Sequence, residues 1–181
     1  VTIGDYNPIV QLVANRFGGS ITGRRVVIGG NFTFGANTAE TGQIARFTSG
    51  NAFDWQLGDS ASDTVTLVGK SVFDVDNGGT AGQPDLTVSA KVTGTGTLVK
   101  SRIDTSSDVM LMDNVTSLND FTGGTILTGG TLRVYAKANN VAAAGSTNIT
   151  SGGLGTGAVT LMGGTLDVRV DNDHLSDKTG T

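Results

Sequence analysis

The chain has 181 residues, with 28 glycines, no cysteine, 37% hydrophobic residues and a formal net charge of -4. That length buries a sizeable core in one domain, and the missing cysteine excludes disulfides, thiolate-held zinc and thiol catalysis together. The acidic balance, with no basic cluster beyond Arg24-Arg25, excludes a nucleic-acid partner.

Taken in chain order, the first residues, Val-Thr-Ile, read as the start of a strand. They carry no Met, basic region or apolar core of a signal peptide. This predicts a mature chain or a piece of a larger one. Asn7–Phe17 places Pro8 after a candidate Asn cap and spaces Ile9, Val13 and Phe17 four apart, which fits either a short helix or a strand followed by a turn. Beyond it the apolar period is short. Val65 and Leu67, then Phe73 and Val75, Leu86 and Val88, and Val109 and Leu111 alternate in runs of a few residues. Gly-Gly, Asn-Gly, Gly-Thr-Gly and Asp-Asn separate them, and short alternating runs punctuated in this way read as strands. Ala136–Gly145 is Ala-rich and has room for one helical turn. Glutamate occurs once, at Glu40, while threonine is nearly as common as glycine. Helices disfavour glycine and β-branched residues, so the class predicted is all-β. No run approaches the roughly 18 apolar residues of a membrane span.

One element is written twice. Thr125–Val134 reads TILTGGTLRV and Val159–Val168 reads VTLMGGTLDV; Leu127, Gly129-Gly130-Thr131-Leu132 and Val134 recur as Leu161, Gly163-Gly164-Thr165-Leu166 and Val168. A looser version, Gly94–Lys100 (GTGTLVK), precedes them, and the first glycines of the three lie 35 and 34 residues apart. Recurrence at this period is the mark of a stacked repeat. The physical reading is a right-handed parallel β-helix, or β-solenoid. Each short strand pairs with its equivalent one coil away, at about 4.8 Å. Leu132 would then stack on Leu166 inside, Thr131 on Thr165 outside, and the glycine pairs would turn the corners. At roughly 20 residues per coil the chain would make about nine coils, a rod on the order of 40 Å long.

The ordered set Val92–Lys100 (VTGTGTLVK), Asn119–Val134 (NDFTGGTILTGGTLRV) and Gly153–Val168 (GLGTGAVTLMGGTLDV) resembles the autotransporter-associated β-strand repeat. The resemblance covers residues 92–168; residues 1–91 fit as further coils of the same kind within one segment, 1–181. It departs at Ser101–Asp108 (SRIDTSSD), longer and more polar than the family's pattern, which predicts a loop or bulged coil there. The resemblance implies a passenger-like piece of a secreted or surface-attached bacterial protein. The family's membrane barrel would belong to a parent protein.

Candidate chemistry is sparse. His174 lies beside Asp171, Asp173 and Asp177, but one histidine without the glycine and distal glutamate of a calcium loop reads as a solvated tail. Asp74 and Asp76 share a strand face, and with Asp54, Asp59 and Asp85 they offer carboxylate pairs of the kind that cleave glycosidic bonds. Aspartates in such positions are more often turn formers. Asn31, Asn114 and Asn148 open Asn-x-Thr sequons, read as incidental in an Asn/Thr-rich chain. Trp55 and Tyr6 would stack on sugars if exposed and plug the core if not. No phosphate-binding glycine loop or Ser-His-Asp set is present. The expectation is therefore a non-enzymatic scaffold, a stalk, fibre or adhesive segment, with no catalytic, cofactor or metal residues. Its partners would be copies of itself or neighbouring repeats, and surface glycans are a further candidate. A carbohydrate-active β-helix and a glycan-binding module are the alternatives.

Overall fold

The computed structural model describes residues 2–3, 9–14, 24–35, 43–49, 53–60, 62–77, 84–101, 108–113, 119–136 and 153–170. These residues form sixteen strands and no helix. The first three are β1 (Thr2–Ile3), β2 (Ile9–Ala14) and β3 (Arg24–Ile28), followed by β4 (Phe32–Gly35), β5 (Gln43–Ser49) and β6 (Phe53–Leu57). Next come β7 (Thr64–Val68), β8 (Lys70–Asn77) and β9 (Leu86–Val88), then β10 (Lys91–Gly94), β11 (Thr97–Ser101) and β12 (Val109–Met112). The last four are β13 (Thr125–Leu127), β14 (Thr131–Ala136), β15 (Val159–Leu161) and β16 (Thr165–Val170).

Three sheets collect them in rotation. Sheet A runs β1-β4-β7-β10, sheet B runs β2-β5-β8-β11-β13-β15, and sheet C runs β3-β6-β9-β12-β14-β16. Each strand thus pairs in parallel with its equivalent one level on. Parallel neighbours cannot be joined by a tight turn and need a connection of about a dozen residues or more. Here the connection carries the strands of the other sheets. Asn7–Phe17, the ambiguous stretch, contributes strand β2 over Ile9–Ala14, so of its two readings the strand holds.

Register turns alternation into columns. One column runs Trp55, Leu86, Met110, Leu132, Leu166, and the next runs Leu57, Val88, Met112, Val134, Val168. In sheet B, Phe73, Lys100, Leu127 and Leu161 stack in the same manner. On β7 the pattern is visible residue by residue: Val65 and Leu67 are fully buried while Thr64, Thr66 and Val68 between them are half-buried. Sheet A adds Phe32 and Phe34 with ring centroids 6.3 Å apart, and Phe34 meets Phe73 of sheet B at 5.0 Å, closing the corner between the two sheets. Trp55 belongs to this core.

Three features depart from the expectations above. Partners in register lie between 22 residues apart (Met110 and Leu132) and 35 apart (Ile9 and Ile44), and two sheets are six strands deep. A 20-residue coil and nine levels are therefore wrong. Five spacings of about 4.8 Å place the outer strands on the order of 24 Å apart. The connections are longer than assumed, so fewer levels use the same chain. Second, Gly94–Lys100 is not the counterpart of the two GGTL elements. Leu98 lies in sheet B opposite Thr125, whereas Leu132 and Leu166 lie in sheet C. Third, the outward face is not simply polar. Val99, Val109, Leu111 and Thr87 are buried yet stand outside the main core cluster, so parts of sheets B and C are covered on both faces.

Candidate functional site

What the residues build most completely is the seat of one level on the next. A glycine column makes the corner between sheets A and B: Gly69, Gly96, Gly123 and Gly157 occupy equivalent positions at successive levels. A Cβ on Gly96 would lie 2.7 Å from the Gly69 carbonyl oxygen, one on Gly123 would lie 2.4 Å from the Gly96 carbonyl carbon, and one on Gly157 would lie 2.4 Å from the Gly124 nitrogen. The obstacle in each case is backbone, which cannot swing aside. At the other corner Gly164 (φ 83°) sits on Gly130 (φ 70°), and Thr165 N–H donates to the Gly130 carbonyl at 2.8 Å.

Side chains tie the same levels together. Asn119, buried, accepts the Val92 N–H on Oδ1 at 2.8 Å and donates from Nδ2 to the Gly153 carbonyl at 3.0 Å, so one amide spans three levels. Phe121 is fully buried beside it. The Thr125 hydroxyl donates to the Leu154 carbonyl at 3.1 Å, Thr97 to Gly123 at 2.9 Å, and Thr128 to Lys100 at 3.1 Å. Each ties a side chain to a carbonyl of a neighbouring level, and the Lys100 carbonyl accepts the Thr128 N–H as well, at 2.9 Å. Lys100 itself is fully buried in an otherwise apolar column, and its ammonium donates to the Ser101 carbonyl. The stretch NDFTGGT is therefore the fastening of the stack. Its asparagine role escaped the sequence reading, although the signal was present in the order Asn, Phe, Thr, Gly-Gly. Asn119→Ala is expected to cost about 1–3 kcal/mol, because the Val92 N–H and Gly153 carbonyl lose their partner in a buried place. Urea unfolding of the two proteins measures it.

Two of the described carboxylates accept backbone amides. Asp85 accepts the Val109 N–H at 2.6 Å, and Asp63 accepts those of Asp59 at 2.9 Å and Ser60 at 3.1 Å. Asp74 is buried on strand β8 of sheet B. The candidates Asp59, Asp74 and Asp85 thus lie on separate elements, the β6–β7 turn, sheet B and the entry to sheet C. Among the described residues no group of three or more His, Cys, Asp or Glu is placed to hold a metal. His174 with its aspartates, Tyr6, Asn114, Asn148 and most of Ala136–Gly145 lie outside the described residues, as do the side chains of Asp54 and Asp76. Trp55, at 5% exposure, presents no face to an external sugar.

There are two ion-paired clusters, the second of them part-buried around Arg133. Lys91 meets Asp120 at 2.6 Å, and Asp167 is shared by Arg133 at 2.8 Å and Arg169 at 3.0 Å. The Asp63 carboxyl is held below the ordinary range, chiefly by the Asp59 amide. For Asp120 partial burial is the largest influence and pushes upward, but hydrogen bonds from Lys91 and Thr93 and the Lys91 charge outweigh it. Asp167 is lowered first by Arg169 and then, against burial, by Arg133. A carboxyl depressed in the folded state adds stability above its unfolded value, near about 3.9, and that stability is lost as pH falls through the folded value. The expected result is a thermal midpoint that falls as pH drops below about 4. Asp167→Asn should flatten that drop when midpoints are compared across pH 2 to 6.

Compared with family models, with curated proteins and with solved structures, the chain gives no match.

Proposed function

We propose that the chain is a right-handed parallel β-solenoid and works as a structural segment of a secreted or surface-attached bacterial protein, a stalk or adhesive scaffold with no catalysis. The observation that carries this reading is the register of the doubled element. Thr131 faces Thr165, Leu132 faces Leu166, Val134 faces Val168 and Leu127 faces Leu161, so identical residues stack through backbone pairing. The rotation of strands through three sheets in fixed order supports one continuous winding. Right-handedness follows from the strong preference of parallel crossovers. The resemblance of residues 92–168 to the autotransporter-associated repeat supports the surface role. The buried amide of Asn119, the carboxylate of Asp85 and the Thr125 hydroxyl all bond to backbone of neighbouring levels, which favours a scaffold over an enzyme.

The test uses the chain's lack of cysteine. Thr131→Cys with Thr165→Cys, both labelled with pyrene, should give excimer fluorescence in the dilute monomer, since neighbours in register lie about 4.8 Å apart. Thr97→Cys with Thr131→Cys is also separated by 34 residues, but the two lie in different sheets and should give none. Excimer from the second pair alone would overturn the winding. Release of reducing ends from a polysaccharide panel, abolished by Asp74→Asn, would overturn the scaffold role.

A further inference from the structure

Among the described residues the stack ends on an apolar surface. Columns that are buried through β13 and β14 open at the last level: Val159 is 44% exposed, Leu161 60% and Val168 62%, although their partners Thr125, Leu127 and Val134 are all buried. Met162, in the turn between β15 and β16, is 73% exposed. Both terminal strands also have one unpaired edge among the described residues. An open parallel edge carrying aliphatic side chains is a template for another strand.

The opposite end of the same columns indicates what fits there. Followed back through the register, the Leu161 column begins at Val10, the Leu166 column at Val26 and the Val168 column at Ile28. The sheets that end in β15 and β16 begin in β2 and β3, whose outer edges are likewise unpaired among the described residues. Resting on the winding proposed above, we propose that β15 and β16 of one chain receive β2 and β3 of a second copy, head to tail. Leu161 then meets Val10, Leu166 meets Val26 and Val168 meets Ile28. Every strand pair among the described residues is parallel, and this junction continues both sheets in the same sense with an aliphatic residue in each of the three columns. Because the two surfaces are different, the contact does not close on itself, and it propagates as a filament.

Electron microscopy and sedimentation of the full chain over a range of concentrations test this. Filaments of one-chain width that lengthen with concentration are the expected result. Leu161→Lys with Val168→Lys blocks the tail and leaves the head intact, so this variant alone should stay monomeric. Mixed at one per ten wild-type chains it should occupy filament ends and hold the mean length to on the order of ten copies. Both side chains are largely exposed, so the variant should keep its β-type circular dichroism; if it does not, Leu161→Lys alone carries the same measurement. A wild-type chain that stays monomeric, one that stops at two copies, or filaments whose length ignores the variant would each overturn the head-to-tail contact. The pyrene pair at 131 and 165 separates the failures: excimer without filaments removes only the junction, and loss of excimer removes the winding beneath it.

Discussion

Gly124→Ala is expected to lower the free energy of unfolding by about 2–5 kcal/mol, from about 1–2 for a left-handed backbone forced on a residue with a Cβ and about 1–3 for overpacking. Gly124 has φ 86°, and a Cβ there would lie 2.5 Å from the carbonyl oxygen of Ala158, the equivalent residue one level on. That carbonyl already accepts the Thr125 N–H at 2.9 Å, so it cannot withdraw without breaking the pairing of β13 with β15. Gly30 supplies the control. Its φ is 92° but nothing lies within 4 Å of its would-be Cβ, so Gly30→Ala should cost only the backbone part, about 1–2 kcal/mol. The difference between the two in urea unfolding isolates the closeness of the levels. Equal costs would mean that the corner has room to spare.

Leu132→Ala is expected to cost about 2–5 kcal/mol, the usual range for a fully buried leucine whose surroundings relax only in part. Leu132 is fully buried between Met110 and Leu166 in the sheet C column. Leu166 occupies the same place in the second copy of the repeat, yet it is only partly buried against the core. Leu166→Ala should therefore cost about 1–2 kcal/mol in dilute solution, since less area leaves water to begin with. Two leucines in closely similar local sequence would then differ about twofold, because among the described residues only Leu132 has a strand paired on each side of its own. If a second copy seats on β15 and β16, the gap narrows under conditions where filaments form.

Much of this was legible in the residues. Alternation at Val65 and Leu67, or Leu86 and Val88, announces strands because a pleat puts every second side chain on one face. The paired copies of Gly-Gly-Thr-Leu announce which strands become neighbours, and all six shared residues do meet in register or at the adjoining corner. The trap lay in Gly94–Lys100, whose similarity to those copies pointed to the wrong sheet. Local residue order can place a glycine corner before a strand, but the corners that lead into sheets B and C use much the same residues. The counterpart of Gly96 proved to be Gly123 in a Thr-Gly-Gly-Thr that had been read as part of a different element.

By itself the sequence determined the strands, most of the glycine corners and the pairing of the two copies, because these depend on steric preferences within a few residues; at β12 it did not determine the inward face, where Met110 and Met112 enter the core in place of Val109 and Leu111. Only the tertiary structure decided which of three sheets each strand joins, how many levels the chain makes, and that Asn119 reaches levels on either side of its own. Those depend on where the backbone returns after register offsets of 22 to 35 residues. That return is set by the packing of the three sheets together, for which no short stretch carries the information.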